Sequence, residues 1–326
     1  MTTGSGRSGG RDRALKYGAI FAALLAVSIA VAVSAGAEKI SLFSLSDSGA
    51  AILFDIRLPR VLLGACVGAS LAAAGAGLQA LLRNPLAEPY LLGVSNGAAL
   101  GTMVAIVFFG SFGFARPAAA FGGAALSTLA VYRLARSRAG MNAERLILGG
   151  VIVTTFLSSV IILLTTLLDA TRLRSFTFWL LGDLSQATQT GFYIVLASAV
   201  LGTLLLMTQA KALNLMMVGE RDALDFGVET GTTRLAVFGA SAAMVGIAVS
   251  ASGSVGFVGL IVPHLIRLLL GSDNRLVLPF SAVFGATFVV LADTLARTLI
   301  APRELPVGAI TALIGCPIFI WLLKKN

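Results

Sequence analysis

Residues 61–82 read VLLGACVGASLAAAGAGLQALL, a stretch of small and apolar side chains that contains no charged residue. As an α-helix, this stretch is long enough to cross the hydrocarbon core of a bilayer, which is about 30 Å thick. Its hydrophobicity is continuous and does not alternate, as it would in a strand of a membrane β-barrel. The stretch therefore predicts a membrane-spanning helix.

Further apolar segments of comparable length occur on both sides of this stretch. The predicted spans cover 17–36, 61–82, 91–113, 117–132, 147–168, 191–210, 235–252, 257–270, 277–298 and 307–323. Hydrophobic residues make up 57% of the chain and charged residues only 12%, whereas soluble domains have about 25% charged residues. Because helices satisfy their own backbone groups at bilayer depth, the sequence predicts an all-α integral membrane protein with about ten transmembrane helices.

The first 16 residues are rich in glycine, serine and arginine and predict a disordered, basic, cytoplasmic segment. Residues 17–326 then form a single transmembrane domain, in which 17–36 is interpreted as an uncleaved first span rather than a signal peptide. With a cytoplasmic N-terminus, about two thirds of the 24 lysines and arginines fall on the cytoplasmic side, as the positive-inside rule expects. Both termini are therefore predicted to be cytoplasmic.

The sequence lacks the residues that characterise several classes of function. The net charge of +9 lies at span ends and in short loops, so it is interpreted as topology-setting charge and not as a nucleic-acid surface. No phosphate-binding G-x-x-x-x-G-K-[ST] loop and no catalytic Ser/His/Asp or H-E-x-x-H arrangement is present. The single histidine, His264, leaves no histidine cluster for a metal, and no cofactor is predicted. Cys66 and Cys316 lie in apolar runs and are predicted to be packed thiols.

Ion-coupled carriers usually bury charged side chains within their spans. The nearest candidate here is Asp293 in the ninth span, whose i+4 neighbour Arg297 favours a local ion pair. A secondary carrier or channel that depends on Asp293 is therefore the alternative to a passive conduit driven by other subunits.

The sequence Arg57-Leu58-Pro59-Arg60 stands at the predicted outer start of the second span, where a proline suits the first helical turn. Two arginines at this place oppose both the positive-inside rule and the helix dipole. Together with Arg297, they are predicted to form an outward basic patch for carboxylates of an external partner. Snorkelling of the arginines to lipid headgroups is the alternative.

The segment RNPLAEP (83–89) follows the inner end of the same span. Its two prolines prevent the helix from continuing, so the backbone is predicted to turn at the cytoplasmic face. This turn is either a gate at the mouth of a pore or an ordinary connection.

The long inner loop 211–234 contains a short amphipathic helix over 220–226, with Gly227 as its predicted stop. The apolar patch of this helix comprises Ala223, Leu224 and Phe226. Three acidic residues in the same stretch disfavour anionic lipid as the docking partner and favour a protein.

Taken in this order, these sequences resemble the permeases of iron-chelate and cobalamin ABC importers, the FecCD type. The resemblance runs from about residue 15 to residue 326 and rests on five stretches. They are RLPR (57–60), QALLRNPLAEPYLLGVSNGAALG (79–101), GERDALDFG (219–227), GFVGLIVPHLIRLLLG (256–271) and ELPVGAITALIGCPIFIWLL (304–323).

The resemblance implies the type II importer permease fold and a non-catalytic transport subunit in the cytoplasmic membrane of a bacterium or archaeon. It implies four kinds of partner: a second copy of the chain, two cytoplasmic ATPase subunits, a periplasmic or lipid-anchored substrate-binding protein, and a bulky metal chelate as substrate. An iron-siderophore or haem is the favoured chelate, and cobalamin is the alternative.

The same resemblance assigns roles to residues of this chain. Docking of the binding protein falls to Arg57, Arg60 and Arg297. The cytoplasmic gate comprises Asn84 and Leu86. Coupling to the ATPase falls to Gly219, Glu220, Arg221, Ala223, Leu224, Phe226 and Gly227.

Overall fold

The computed structural model of the protein describes residues 5–36, 47–109, 114–137, 140–141 and 143–325. The α-helices of the first half are α1 (Ser5–Ser34), α2 (Asp47–Ala51), α3 (Leu58–Leu82), α4 (Val94–Phe109), α5 (Ala115–Ala135) and α6 (Ala143–Thr165). Those of the second half are α7 (Ala170–Leu180), α8 (Gln189–Thr208), α9 (Ala210–Val218), α10 (Glu220–Asp225), α11 (Thr230–Ser252), α12 (Val258–Leu270), α13 (Asn274–Thr298) and α14 (Val307–Lys325). Two-residue strands, β1 (Arg136–Ser137) and β2 (Gly140–Met141), pair antiparallel between α5 and α6.

The described residues contain seven helices that are long and apolar enough to cross a membrane, and three shorter apolar helices, α4, α12 and α14. Each of the ten predicted spans coincides with one of these helices, so the all-α membrane fold is confirmed. The third span differs most from its prediction. It begins with a 3₁₀ turn, Pro89–Leu92, and Gly93 with φ 74° separates this turn from α4.

Helix α3 is the centre of the bundle, and nearly all its residues are buried. It packs against α8, α11, α12 and α13. At two crossings only glycine fits: a Cβ on Gly68 would overlap the Gly285 carbonyl of α13, and one on Gly75 would overlap the Gly259 carbonyl of α12. Small residues thus allow the close backbone approach on which helix packing in membranes depends.

The start of α3 differs from its prediction. Instead of beginning near Pro59, the helical backbone continues upstream through a π-helical segment, Ile52–Arg57, into α2. Leu58 donates its N–H to the Leu53 carbonyl, which is the wider hydrogen-bond spacing of a π-helix. Because Pro59 has no N–H and its ring crowds the preceding turn, the wider turn allows the helix to pass through this residue.

Helix α1 packs along α13, where the ring of Phe21 contacts those of Phe280 and Phe284. The helix begins at Ser5, whereas the composition of residues 1–16 predicts disorder; residues 1–4 lie outside the described residues. The difference has a simple reason, since adding residues to an existing helix is much easier than starting one.

The two cysteines differ in exposure. Cys66 in α3 is buried as predicted, but Cys316 in α14 is exposed. An apolar run therefore predicts a span without revealing which face of that helix is packed.

Candidate functional site

The predicted functional residues lie at the two ends of α3. The end at which α3 begins contains Arg57, Arg60 and Arg297 and is named the arginine face. The end at which α3 finishes contains the turn segment 83–93 and α10 and is named the turn face.

On the arginine face, two buried arginines share one carboxylate. The guanidinium of Arg60 donates to both oxygens of Asp293 at 3.0–3.2 Å, and its Nη1 donates to Glu304 Oε2 at 2.8 Å. Arg297 donates from Nε to Asp293 Oδ2 at 3.0 Å. The predicted ion pair between Asp293 and Arg297 is therefore present, and Arg60 extends it to α3.

The other N–H groups of Arg297 and the guanidinium of Arg57 donate hydrogen bonds to carbonyls at the end of α1. Arg297 donates to the carbonyls of Ala32 and Ala35, at 3.1 and 3.3 Å. Arg57 donates from Nη1 to the carbonyls of Val33 and Ser34, both at 3.3 Å. The last carbonyls of a helix lack partners within it and carry partial negative charge, so cations are favourable there.

This packing changes the interpretation of the arginine sequence. Arg57, Arg60 and Arg297 do lie together, but they are only 5%, 8% and 5% exposed, so they do not form the expected outward patch. Arg57, which opposes the dipole of α3, donates to the last carbonyls of α1, while Arg60 pairs with Asp293 and Glu304. Their docking role stays a prediction, and in this conformation a partner would not reach them.

A cavity of about 380 Å³ adjoins this cluster and is lined by Arg60, Asp293 and Glu304. Two exposed arginines, Arg174 of α7 and Arg303, also line it. Sequence reasoning missed both, since neither arginine belongs to a motif that distinguishes it. Both side chains are accessible to a partner on this face.

On the turn face, Asn84 organises the turn that follows α3. Arg83 adopts the left-handed conformation with φ 47° and ends the helix. The Asn84 side chain accepts a hydrogen bond from the Leu86 N–H at 2.9 Å, and its carbonyl accepts one from Ala87 at 3.1 Å. Asn84 and Leu86 are therefore parts of one tight turn, with the Leu86 side chain 44% exposed at its tip.

The second half of the turn segment is fixed to the connection between α11 and α12. Glu88 accepts a hydrogen bond from the Phe257 N–H at 2.9 Å. The Tyr90 hydroxyl donates to the Val255 carbonyl at 2.9 Å and accepts from the Val255 N–H at 2.7 Å. Burial raises the pKa of the Glu88 carboxyl, while the hydrogen bond from Phe257 acts in the opposite direction.

The predicted amphipathic helix on the turn face is present as α10. Leu224 and Phe226 expose 53% and 74% of their surface, whereas Ala223 is fully buried against the chain itself. Ala223 is therefore not part of the exposed patch, and its assignment to that patch is wrong. Gly227 follows with φ 78° and donates its N–H to the Leu224 carbonyl, as expected for a helix stop.

Glu220, the first residue of α10, pairs with two arginines. Its Oε2 lies 2.8 Å from Arg234 Nη2 of α11 and 3.7 Å from Arg83 Nη2 at the end of α3. Sequence reasoning placed these residues in two separate segments and did not predict their pairing, because Arg83 is far from Glu220 in the chain. These ion pairs join α10 to the turn segment.

Metal-binding side chains do not gather in the described part of the chain, where no group of three His, Cys, Asp or Glu residues is arranged to hold an ion. Three of the acidic groups pair with arginines instead, namely Asp293 and Glu304 on the arginine face and Glu220 on the turn face.

Comparison with known proteins identifies relatives along almost the entire chain. The family model of the FecCD transport family matches residues 18–325. The hemin transport system permease protein HmuU of Yersinia pestis is 42% identical over 290 residues, which are 87% of this chain and 86% of HmuU. The cobalamin import system permease protein BtuC of Halobacterium salinarum is 40% identical over 284 residues, 87% of this chain and 76% of that protein.

A solved structure is similar to this one over nearly its full length. It shows an inward-facing conformation of a transporter assigned to the metal-chelate type of ABC transporters. The TM-score is 0.86 at 32% sequence identity, and the match covers 94% of this chain and 98% of that one.

Proposed function

The chain belongs to the FecCD transport family, and we propose that it carries an iron chelate, either an iron-siderophore or haem, across the cytoplasmic membrane. It is a multi-pass permease of an ABC importer for metal chelates. The match over residues 18–325 supports the permease role most strongly, and the similarity to a hemin permease supports an iron chelate as cargo. Cobalamin is the alternative cargo, since permeases for hemin and for cobalamin are similar to this chain to nearly the same degree.

In the proposed complex, two copies of the chain form the conduit and two separate ATPase subunits provide the energy. The exposed apolar side chains of Leu224 and Phe226, beside the acidic residues of α10, support docking of an ATPase on the turn face. Apolar anchors with a charged rim are typical of protein interfaces. We accordingly propose that the turn face and both termini lie on the cytoplasmic side.

A substrate-binding protein is proposed to dock on the opposite, arginine face. The exposed Arg174 and Arg303 are proposed to make the first contact, and Arg57, Arg60 and Arg297 to contribute only if docking uncovers them. Charge reversal of Arg303 should weaken docking, more strongly at low salt, because exposed charges act over a screened distance. Charge reversal of buried Arg57 tests the docking role that the family resemblance assigns to it. If the folded variant loses as much docking affinity as the Arg303 variant, Arg57 contacts the binding protein directly.

An ion-coupled carrier is the competing function, and it would use Asp293. Both oxygens of Asp293 accept hydrogen bonds from arginines, which disfavours a proton relay through this carboxylate. The ionic contacts of Asp293 support a structural role instead.

Reconstitution distinguishes the two functions. The purified chain alone in liposomes should not accumulate haemin, ferric siderophore or cyanocobalamin against a gradient, with or without a proton or sodium gradient. Adding the ATPase, the binding protein and ATP should start accumulation of the chelate that the binding protein retains. Uphill uptake by the chain alone would contradict the proposed function.

The coupling role of α10 has a separate test. Scrambling residues 220–226 should abolish co-purification of the ATPase while the permease still elutes as a folded protein. Retention of the ATPase by the folded, scrambled chain would remove the coupling role from α10.

A further inference from the structure

A cavity of about 660 Å³ adjoins α7 and is named the α7 cavity. Four spans, α3, α4, α8 and α11, line it with residues from the first or last two turns of each helix, at the end nearest the arginine face. The first turn of α5 and one side of α7 complete the wall. The cavity therefore lies where these spans leave the hydrocarbon core of the bilayer, and its volume is typical of a site for a small molecule.

The wall of the α7 cavity is apolar at one side and polar at the other. In the apolar part, Leu63, Val195 and Trp179 are only 1%, 1% and 4% exposed. The polar part consists of exposed side chains of α7 and of the segment that leads into α8, namely Thr171, Arg172, Ser175, Gln186, Thr188 and Thr190. A ligand with an apolar chain and a polar head matches this division.

Two arginines from separate helices give the polar part its charge. Arg116 lies in the first turn of α5, and its side chain has no hydrogen bond or ion pair among the described residues. Arg172 contacts Asp169 from Nε at 3.3 Å, and both side chains are at least half exposed, so this contact stabilises little. The guanidinium groups are therefore available to a phosphate, which arginine binds through two parallel hydrogen bonds.

The start of α5 adds to the attraction for an anion. Phe114 precedes the helix and provides no side-chain cap, so the first N–H groups of α5 lack that partner. These groups carry partial positive charge at the beginning of a 21-residue helix. Arg116 and the helix dipole thus favour the same ligand.

Asp183 is the carboxylate in the wall of the α7 cavity. It accepts the Ser185 N–H at 2.7 Å and also lines the cavity of about 380 Å³ beside Arg60, so it stands at the boundary between the two cavities. A carboxylate repels a phosphate but accepts hydrogen bonds from hydroxyl groups. A head that combines a phosphate with hydroxyls, as in phosphatidylglycerol, satisfies both kinds of group.

We propose that the α7 cavity is a binding site for an anionic phospholipid from the membrane leaflet on the arginine face. Arg116 and Arg172 hold its phosphate, and an acyl chain packs against the buried apolar wall. The chain continues along α8, where Ile194 and Leu201, seven residues apart on one side of the helix, are 46% and 66% exposed. The bound lipid joins α5 to α7, and the site does not depend on which chelate is carried.

The test uses a reporter that the cavity wall already contains. The chain has two tryptophans, so Trp321→Phe leaves Trp179 as the single one. The purified full-length variant in dodecyl maltoside micelles is titrated with phosphatidylglycerol whose acyl chains carry bromine, a contact quencher of tryptophan fluorescence. Quenching of Trp179 should be saturable, and unbrominated phosphatidylglycerol should reverse it.

The arginines are tested in the same background. Arg116→Gln combined with Arg172→Gln should raise the lipid concentration at half-quenching about ten-fold, because the charge-assisted hydrogen bonds to the phosphate are lost. The matched control combines Arg174→Gln with Arg303→Gln. This pair removes the same charge from the same end of the bundle, but both arginines line the other cavity. The control should bind the lipid like the parent protein.

Two further ligands test each half of the lipid. Brominated diacylglycerol, which lacks the phosphate, should quench Trp179 much more weakly than phosphatidylglycerol. Glycerol 3-phosphate, which lacks the acyl chains, should not displace the brominated lipid. Together these results would support a site that recognises both the head and the chain.

The opposite results overturn the lipid site. Equal half-quenching in the double variant and the parent protein would show that the arginines do not bind the lipid, and equal quenching by diacylglycerol would show that the phosphate is not recognised. Displacement by glycerol 3-phosphate would make the cavity a site for a free phosphate. If the double variant instead weakens docking of the binding protein while lipid quenching is unchanged, the cavity serves a protein partner.

Discussion

The two ends of the bundle carry the same chemistry under different solvent exposure. On the arginine face, the side chains of Arg60, Asp293 and Arg297 are only 9%, 3% and 6% exposed. On the turn face, Arg83 and Glu220 are 43% and 41% exposed. Both groups are carboxylates shared by two arginines, and both connect elements that are distant in sequence.

The difference in exposure separates a fixed contact from a movable one. A buried ion that loses its partner remains without compensation, so a buried network holds its helices in one arrangement. A half-exposed ion that loses its partner is hydrated, so its network can open and close at little cost. The arginine face therefore ties α1, α3 and α13 together, while the contact between Arg83 and Glu220 can open at little cost.

Substitution of Asp293 by asparagine should have the largest effect on stability. The change leaves Arg60 and Arg297 buried beside a neutral side chain, and it should lower the free energy of unfolding by about 3–5 kcal/mol. Reversible unfolding in mixed detergent micelles, followed by tryptophan fluorescence, measures this loss.

The matched control is Asp169→Asn. Asp169 pairs with Arg172 at 3.3 Å with both side chains at least half exposed, and it also caps α7. Asparagine caps a helix equally well, so the loss should stay below about 0.5 kcal/mol. Equal losses in both variants would show that burial does not distinguish these carboxylates.

Glu304 is an intermediate case within the arginine face. It accepts from Arg60 at 2.8 Å, but its side chain is 47% exposed. Glu304→Gln should therefore lower the free energy of unfolding by about 1 kcal/mol or less, since water replaces part of the contact. A loss as large as that of Asp293→Asn, in the same unfolding experiment, would contradict the dependence on exposure.

The fold was predictable from sequence because the length and continuity of an apolar run directly reflect bilayer thickness. The ten predicted spans correspond to ten helices for this reason. Helix α10 was predictable as well, since its apolar residues and Gly227 are local signals. Neither conclusion required knowledge of which elements are neighbours.

The role of the arginines was not predictable in the same way. Sequence spacing predicted the ion pair of Asp293 with its i+4 neighbour Arg297. It could not predict the pair with Arg60, which is 233 residues away from Asp293. The α1 carbonyls that accept from Arg57 and Arg297 belong to the backbone, which no residue type identifies. Arg57 opposes the dipole of its own helix because its guanidinium binds the last carbonyls of a neighbouring helix.

The turn face should respond weakly and in a salt-dependent way. Arg83→Gln should lower the free energy of unfolding by about 0.5 kcal/mol or less, because the ion pair is exposed. The difference from the parent protein should shrink as salt increases, since ions screen exposed charges. Unfolding at low and high sodium chloride measures the loss of stability and its dependence on salt. Arg275→Gln is the control, because Arg275 is exposed and has no ion pair among the described residues. A larger loss of unfolding free energy that does not depend on salt would show that the contact of Arg83 is as fixed as those of the arginine face.

Glu88 extends the comparison to a partly buried carboxylate that has no arginine partner among the described residues. It accepts the Phe257 N–H at the start of α12, where the helix dipole favours negative charge. Burial nevertheless raises its pKa above the ordinary value of 4.5, so Glu88 is protonated more readily in the folded protein than in the unfolded chain. This contribution to stability is complete below pH 4.5 and is lost as pH rises through the folded pKa.

Glu88→Gln should consequently have the smallest effect and a distinct pH profile. Glutamine keeps an oxygen for the Phe257 N–H and has no charge, so the variant should gain stability relative to the parent protein as pH rises from acidic to neutral. Unfolding of both proteins across this range gives the difference, and the Glu304→Gln variant supplies a carboxylate control on the arginine face. A difference that stays constant with pH would mean that water reaches Glu88 freely. Glu88 would then belong with the half-exposed charges of the turn face, and this end of the turn segment 83–93 would lie closer to solvent than its hydrogen bonds indicate.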